Sequence, residues 1–128
     1  MGTVVVDAGP TIGWLNAEDA HHAQARAAFD AHRDDELRLP ASAYAETLMG
    51  AHRTGTVETV RAAIGALGMR VDPIDRAAAE AAAALRARHR SLRLPDALVL
   101  GYAEAIGADA VLTTDRRWRR VSRRVELV

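Results

Sequence analysis

The hydrophobic residues of this chain form short β-branched runs, separated by longer stretches in which apolar positions recur with helical spacing. The short runs predict strands at residues 3–6, 37–39, 69–71 and 110–113, with a last edge strand at 125–128. The longer stretches predict helices at residues 11–16, 20–32, 42–53, 57–67, 76–88 and 95–106. Because strands and helices alternate, the pattern predicts an α/β fold with a mainly parallel sheet.

Residues that begin and end helices support these boundaries. Asp19, Thr56 and Asp75 are predicted N-caps, since their side-chain oxygens can accept hydrogen bonds from the free amides of a first turn. Gly68 and Gly107 are predicted to end helices, because glycine tolerates the left-handed conformation found there. The arginine-rich segment 114–124 is predicted to be a loop or an irregular helical turn.

Length and composition indicate one domain over residues 1–128, since the chain has 128 residues and neither a linker nor a repeat. The absence of cysteine excludes disulfides, thiolate metal sites and cysteine nucleophiles. The first residues do not form a signal peptide, and no apolar run reaches the roughly 18 residues that a membrane helix needs. We therefore expect a soluble, cytoplasmic protein with no membrane segment.

Four acidic residues interrupt or end otherwise apolar segments. Asp7 and Asp115 each follow a predicted strand, and the carboxyl ends of parallel strands meet at the edge of the sheet where ligands bind. Glu46 and Asp96 lie in apolar helices. Taken singly, each has an ordinary explanation as a turn residue, a first-turn acid or a solvated side chain. Together they predict a cluster whose repulsion a hard divalent cation, Mg²⁺ or Mn²⁺, would relieve.

The segments that carry these acids resemble the PIN-domain ribonucleases. The segments are "VVVDAG", "ASAYAE", "LPDALVLGYA" and "ADAVLTTDRRW", and their order and separation extend the resemblance over essentially the whole chain. Within that family the chain is similar to the VapC toxins of bacterial VapBC toxin–antitoxin pairs. The resemblance implies a PIN-like three-layer fold with a short, mainly parallel central sheet flanked by helices.

The resemblance also implies an activity and its residues. A metal-dependent endoribonuclease would hydrolyse RNA with metal-activated water, leaving a 3′-hydroxyl and a 5′-phosphate. Asp7, Glu46, Asp96 and Asp115 match the family's catalytic and metal-binding acids, with Mg²⁺ or Mn²⁺ as cofactor, and Thr113 matches a supporting hydroxyl residue. The implied partners are an RNA substrate, a second copy in a homodimer and a VapB-type antitoxin.

One position departs from the family pattern. Many relatives carry Ser or Asn two residues after the first acid, and this chain has Gly9 there. The contact that such a side chain makes to the metal shell must then be lost or come from elsewhere. Thr11 is the substitute that the sequence suggests.

Arginine supplies all 17 basic side chains, and the halves of the chain differ in charge. Residues 1–64 contain nine acids and five arginines, whereas residues 65–128 contain eight acids and twelve arginines. Two arginine-rich segments flank the predicted site, so we expect them to contact RNA or the acidic tail of an antitoxin. The candidate RNA-binding residues are Arg93, Arg116, Arg117, Arg119 and Arg120. Trp118 would either stack on a base or pack into the core.

Other functions remain open on sequence grounds. "DAGPT" fits the D-x-G-x-T phosphate loop of the actin and sugar-kinase ATPases, although 128 residues are too few for their two domains. An aspartyl phosphotransferase would need a second acid where Gly9 stands. A non-catalytic PIN-like binding module and a nuclease acting on DNA are the alternatives that keep the fold.

Overall fold

The sheet of this protein has five parallel strands, as seen in a computed structural model that describes residues 1–128. The strands are β1 (Thr3–Val6), β2 (Glu36–Pro40), β3 (Arg70–Asp72), β4 (Ala110–Thr113) and β5 (Val125–Leu127), and their order across the sheet is β3-β2-β1-β4-β5. The predicted α/β class and parallel sheet are confirmed. Buried β-branched residues account for the central strand, since all of Val4–Val6 is excluded from water.

Six α-helices flank the sheet: α1 (Ala8–Leu15), α2 (His22–Ala31), α3 (Ala41–Thr54), α4 (Val57–Ala66), α5 (Arg76–Arg88) and α6 (Leu94–Ala105). A 3₁₀ helix at Arg116–Arg120 follows β4, which confirms the predicted helical turn. Gly68 and Gly107, with φ angles of 70° and 64°, are left-handed residues directly after α4 and α6, as predicted. No helix is both long enough and apolar enough to span a bilayer.

Two helix starts and one predicted cap differ from the prediction. Helix α1 begins at Ala8 rather than at residue 11, because Asp7 itself serves as the N-cap and accepts a hydrogen bond from the Ala8 amide. Helix α2 begins at His22, since the Asp19 carboxylate accepts from His21 N in the preceding turn instead of capping the helix. Thr56 does precede α4, but its hydroxyl pairs with that of Thr54.

Helices α5 and α6 pack closely together because small residues lie between them. A Cβ atom placed on Gly101 would lie 2.5 Å from the Ala82 backbone nitrogen and 2.8 Å from the Ala78 carbonyl oxygen. Asp75 caps α5 through the Ala78 amide, as predicted. The close packing of α5 against α6 at Gly101 fixes the position of α6, whose first turn carries Asp96.

The register of the two central strands places two polar residues side by side at the carboxyl edge of the sheet. Val6 of β1 is paired with Leu112 of β4, and the Asp7 amide then donates to the Leu112 carbonyl at 3.0 Å. Asp7 therefore lies next to Thr113, the last residue of β4. The predicted site is built around this pair.

Candidate active site

Asp7 is held rigidly between the sheet and α1. One carboxylate oxygen, Oδ1, accepts from Ala8 N at 2.8 Å, and the other, Oδ2, accepts from the Thr113 hydroxyl at 2.9 Å. The Thr113 hydroxyl in turn accepts from Asp115 N at 3.1 Å, so the same group ties together both acids that follow strands. These bonds fix the carboxylate at the point where β1 ends.

The environment of Asp7 opposes its negative charge. Burial raises the pKa of Asp7 to about 6, despite the hydrogen bonds from Ala8 and Thr113 that favour the ionised form. The carboxylates of Glu46 and Asp96 raise the Asp7 pKa further by repulsion. A partly buried acid that lies near two other acids favours a proton or a bound cation.

Glu46 and Asp96 approach Asp7 from two different helices. Glu46 lies on α3 and is exposed as a whole residue. Partial desolvation of its carboxyl group and repulsion from Asp96 raise its pKa. Asp96 lies in the first turn of α6 with a side chain only 15% exposed. Its carboxylate is 3.6 Å from Nε of Arg93, one turn earlier in the chain. The fold thus brings three of the four predicted acids within electrostatic range of each other.

Asp115 has a different partner. The Arg117 guanidinium forms a forked contact with its carboxylate, with Nε 3.0 Å from Oδ1 and Nη2 2.7 Å from Oδ2. This pairing lowers the pKa of Asp115 below its usual range, and the positive charge of Arg93 lowers it further. Asp115 borders the site while an arginine neutralises its charge.

Two arginines therefore reach the acids, Arg93 and Arg117. Arg93 lowers the pKa values of both Glu46 and Asp115, and its side chain is 72% exposed. The Arg117 side chain is 74% exposed. The pairing of Arg117 with Asp115 was missed by sequence reasoning, although an arginine two residues after an acid was the available signal.

The donor atoms of this cluster suit a hard divalent cation, because carboxylate oxygens are the ligands that Mg²⁺ and Mn²⁺ prefer. The structure contains no group of three or more His, Cys, Asp or Glu side chains already arranged to bind a metal ion. The fit is therefore one of chemistry and charge. The carboxylates would have to come closer together around the ion, with Arg117 released from Asp115.

Thr113 and Thr11 hold Asp7 from two sides. The Thr113 hydroxyl contacts the carboxylate, which is the supporting position that the resemblance implied. The Thr11 hydroxyl instead donates to the backbone carbonyl of Asp7 at 2.9 Å, and Thr11 is completely buried. Thr11 thus stabilises the first turn of α1 and has no exposed hydroxyl to offer a metal or its waters, contrary to the substitute role suggested for it.

The candidate RNA-binding residues are all exposed, and Arg93 and Arg117 lie beside the acids. Arg116, Arg119 and Arg120 are exposed and form no ion pair within the chain. Trp118 is only 1% exposed and packs in the main core, so the core interpretation is confirmed and stacking on a base is excluded. The tryptophan anchors the 3₁₀ helix, and its arginine neighbours remain at the surface.

An apolar groove leads away from the acids. Its volume is about 1000 Å³, and it runs from Glu46 and Arg93 along α1, α3 and α4. Its lining includes Ile12 and Met49, whose side chains are 36% and 56% exposed. The groove itself is formed by helices distant in sequence, and sequence reasoning did not find it.

The family model that matches this chain is that of the PIN domain, and the match extends over residues 4–124. The chain belongs to the PIN domain family. The resemblance inferred from the sequence is thereby confirmed, together with the fold that it implied. No curated protein matches the sequence significantly.

Solved structures agree with the PIN fold across nearly the full chain. A toxin–antitoxin complex from Klebsiella pneumoniae superposes with a TM-score of 0.80 at 20% identity, covering 96% of this chain and 95% of that one. VapBC2 from Rickettsia felis, bound to a promoter DNA fragment, gives 0.80 at 11% identity, with 98% of each chain covered. VapC20 from Mycobacterium tuberculosis, a sarcin–ricin loop cleaving toxin, gives 0.73 at 19% identity, covering 93% of this chain and 96% of that one. At these identities the likeness shows a shared fold.

Proposed function

We propose that this PIN domain is a metal-dependent endoribonuclease and the toxin of a VapBC-type toxin–antitoxin pair. The observation that carries the proposal is the Asp7 carboxylate, held at the end of β1 with its pKa raised by burial and by Glu46 and Asp96. Membership of the PIN family and similarity to toxin–antitoxin complexes and to an RNA-cleaving toxin support it.

Each of the four acids is assigned a role from its position and charge. Asp7 and Asp96 would hold Mg²⁺ or Mn²⁺, and Asp115 would join them directly or through water. When bound, the cation polarises a phosphoryl oxygen, lowers the pKa of a water molecule and offsets charge on the leaving oxygen. Glu46, the most exposed of the four acids, would ligate the cation or orient the attacking water.

Arginines around the acids would bind the RNA backbone. Arg93 and Arg117 extend exposed guanidinium groups beside the carboxylates, and Arg116, Arg119 and Arg120 continue the positive surface. When a phosphate replaces Asp115 as the partner of Arg117, the aspartate becomes free for the cation. Substrate and metal binding would therefore support each other.

The groove beside the acids is the surface we assign to an antitoxin. An antitoxin segment with apolar side chains would cover Ile12 and Met49, and an acidic end would reach Arg93. Such a segment would exclude RNA from the site.

A homodimer is also proposed, on the basis of the family resemblance. Sedimentation of the purified chain tests it.

The proposal is tested by incubating purified protein with cellular RNA in Mg²⁺ or Mn²⁺, with and without chelator. We expect metal-dependent fragments with 5′-phosphate ends, and a loss of at least about 100-fold in rate for Asp96→Asn, because a metal ligand is removed. Glu104→Gln is the matched control, since Glu104 is an exposed acid on the same helix.

Equal cleavage by wild type and Asp96→Asn would reject the assignment of Asp96. If folded, antitoxin-free protein cuts DNA but not RNA, the substrate class is wrong. If it cuts neither, the non-catalytic binding module becomes the better account.

A further inference from the structure

Gly9 and Thr114 occupy one shared space beside Asp7. Gly9 lies in the first turn of α1, two residues after the acid that caps this helix. A Cβ atom placed on Gly9 would lie 2.6 Å from the Thr114 hydroxyl oxygen and 3.2 Å from its methyl carbon. Non-bonded atoms do not approach one another this closely. The Thr114 side chain therefore fills the place that a side chain at position 9 would take.

The Thr114 hydroxyl is the one polar side-chain group of its turn that is not already used. Thr113, just before it, is bonded to the Asp7 carboxylate and to Asp115 N. Asp115, just after it, is bonded to the backbone and guanidinium groups of Arg117. Thr114 takes part in none of these hydrogen bonds, and it is only partly buried.

We infer that Thr114 is a positioning residue of this site, and the inference rests on the proposed metal-dependent activity. Its hydroxyl, in the turn after β4, would hydrogen-bond a water molecule of the cation-binding site beside the first turn of α1. In doing so it supplies the polar contact that Gly9 lacks. Groups that orient metal ligands and waters in this way commonly change metal affinity or activity by about 10- to 100-fold.

The shared space makes a specific steric prediction. In Gly9→Ser alone, the new side chain meets the Thr114 side chain, so one of them must move and the site is disturbed. In Gly9→Ser/Thr114→Ala, the remaining neighbour is the Cβ atom of residue 114 at 3.5 Å, which is ordinary van der Waals contact. The double variant therefore places a hydroxyl in the same space, carried by α1 instead of by the turn after β4.

The experiment measures Mn²⁺ affinity by titration calorimetry, together with kcat and KM on RNA and the melting temperature. Thr114→Val removes the hydroxyl with little change of shape, and we expect Mn²⁺ affinity and kcat to fall about tenfold. The KM for RNA and the metal-free melting temperature should stay near wild type. Thr114→Ser should retain the wild-type affinity for Mn²⁺. Thr114→Ala should lose Mn²⁺ affinity and kcat, and Gly9→Ser/Thr114→Ala should recover most of both.

The outcomes separate this inference from the proposed function. Wild-type protein that binds no Mn²⁺ would overturn the proposed function, and Thr114 would lose its role with it. Wild-type protein that binds Mn²⁺ while Thr114→Val binds it equally well would overturn the role of Thr114 alone. A double variant that folds but recovers neither affinity nor kcat would show that the shared space does not serve the site.

Discussion

Asp7 is partly buried and hydrogen-bonded, yet its ionisation lowers the free energy of unfolding. Its pKa of about 6 lies above the ordinary value of 3.8, so the folded state binds a proton more tightly than the unfolded state. Stability contributed by this group is therefore highest when it is protonated, and it falls as the pH rises from 3.8 to about 6. Since one pKa unit corresponds to about 1.4 kcal/mol, the ionised carboxylate costs about 3 kcal/mol at neutral pH.

Replacing this carboxylate should stabilise the metal-free protein. We expect Asp7→Asn to raise the free energy of unfolding by about 1–3 kcal/mol at pH 7.5, because the amide removes the charge and keeps an acceptor for Ala8 N. Urea denaturation in the presence of a chelator measures this change. The difference should shrink below about 1 kcal/mol at pH 4, where the wild-type carboxyl is largely protonated.

The same variant should lose Mn²⁺ binding and RNA cleavage. A gain in stability with a loss of function is what a carboxylate retained for metal binding predicts. If Asp7→Asn is destabilised at pH 7.5, the carboxylate is instead part of what holds the fold together.

The two helices α5 and α6 determine where Asp96 lies. Their backbones approach so closely at Gly101 that even one carbon does not fit, since the atoms it would meet are Ala82 N, Ala82 Cα and the Ala78 carbonyl oxygen. These are backbone atoms, which cannot move away without displacing the helix. The position of this edge of the candidate site thus depends on a contact at Gly101, five residues from Asp96 along α6.

A substitution at this contact tests its importance. Gly101→Ala should lower the free energy of unfolding by about 1–3 kcal/mol, because overpacking outweighs the better helix propensity of alanine. Gly50→Ala is the matched control, since Gly50 is also within a helix but has no atom within 4 Å of its added Cβ. That change should raise stability by about 0.5–1 kcal/mol. Equal effects of the two variants in thermal denaturation would contradict the close-packing interpretation.

Both ends of the chain are tied to His32 and Asp35, which lie between α2 and β2. His32 pairs through Nδ1 with Asp35 at 2.7 Å and through Nε2 with Glu126 at 2.8 Å. Asp35 also accepts from Gly2 N at 2.7 Å, so His32 and Asp35 link the first residues to the last strand. Burial lowers the pKa of His32, but the two carboxylates outweigh it and raise the pKa above 6.5.

This linkage predicts a pH dependence of global stability. For a histidine with a raised pKa, the stabilisation is fully present below 6.5 and is lost as the pH rises through the higher folded-state value. We expect the free energy of unfolding to fall by roughly 0.5–1 kcal/mol across that range, since the pair is partly exposed. Denaturation curves between pH 6 and 9 measure it, and His32→Gln should remove this slope.

His52→Gln is the control, because His52 is exposed and makes no ion pair. An unchanged slope in His32→Gln would assign the pH dependence to other groups. The Asp7 effect lies below pH 6 and does not overlap this window.

The sequence by itself determined the class of the fold and the choice of acids. Strand and helix periodicity is a local property, so the five strands and the left-handed Gly68 and Gly107 were predictable. Asp7 and Asp115 could be placed together because parallel strands end at one edge of the sheet. Segments quoted from the whole chain were enough to predict the family that the match over residues 4–124 confirms.

Only the tertiary structure decided how side chains from distant segments meet. The link from His32 to Glu126 and the space shared by Gly9 and Thr114 depend on packing angles and rotamers. The start of α1 belongs here too, since Asp7 acts as a cap only because β4 fixes its backbone. Periodicity and capping are encoded by neighbouring residues, whereas these contacts arise from strand register and helix packing, and no local pattern contains that information.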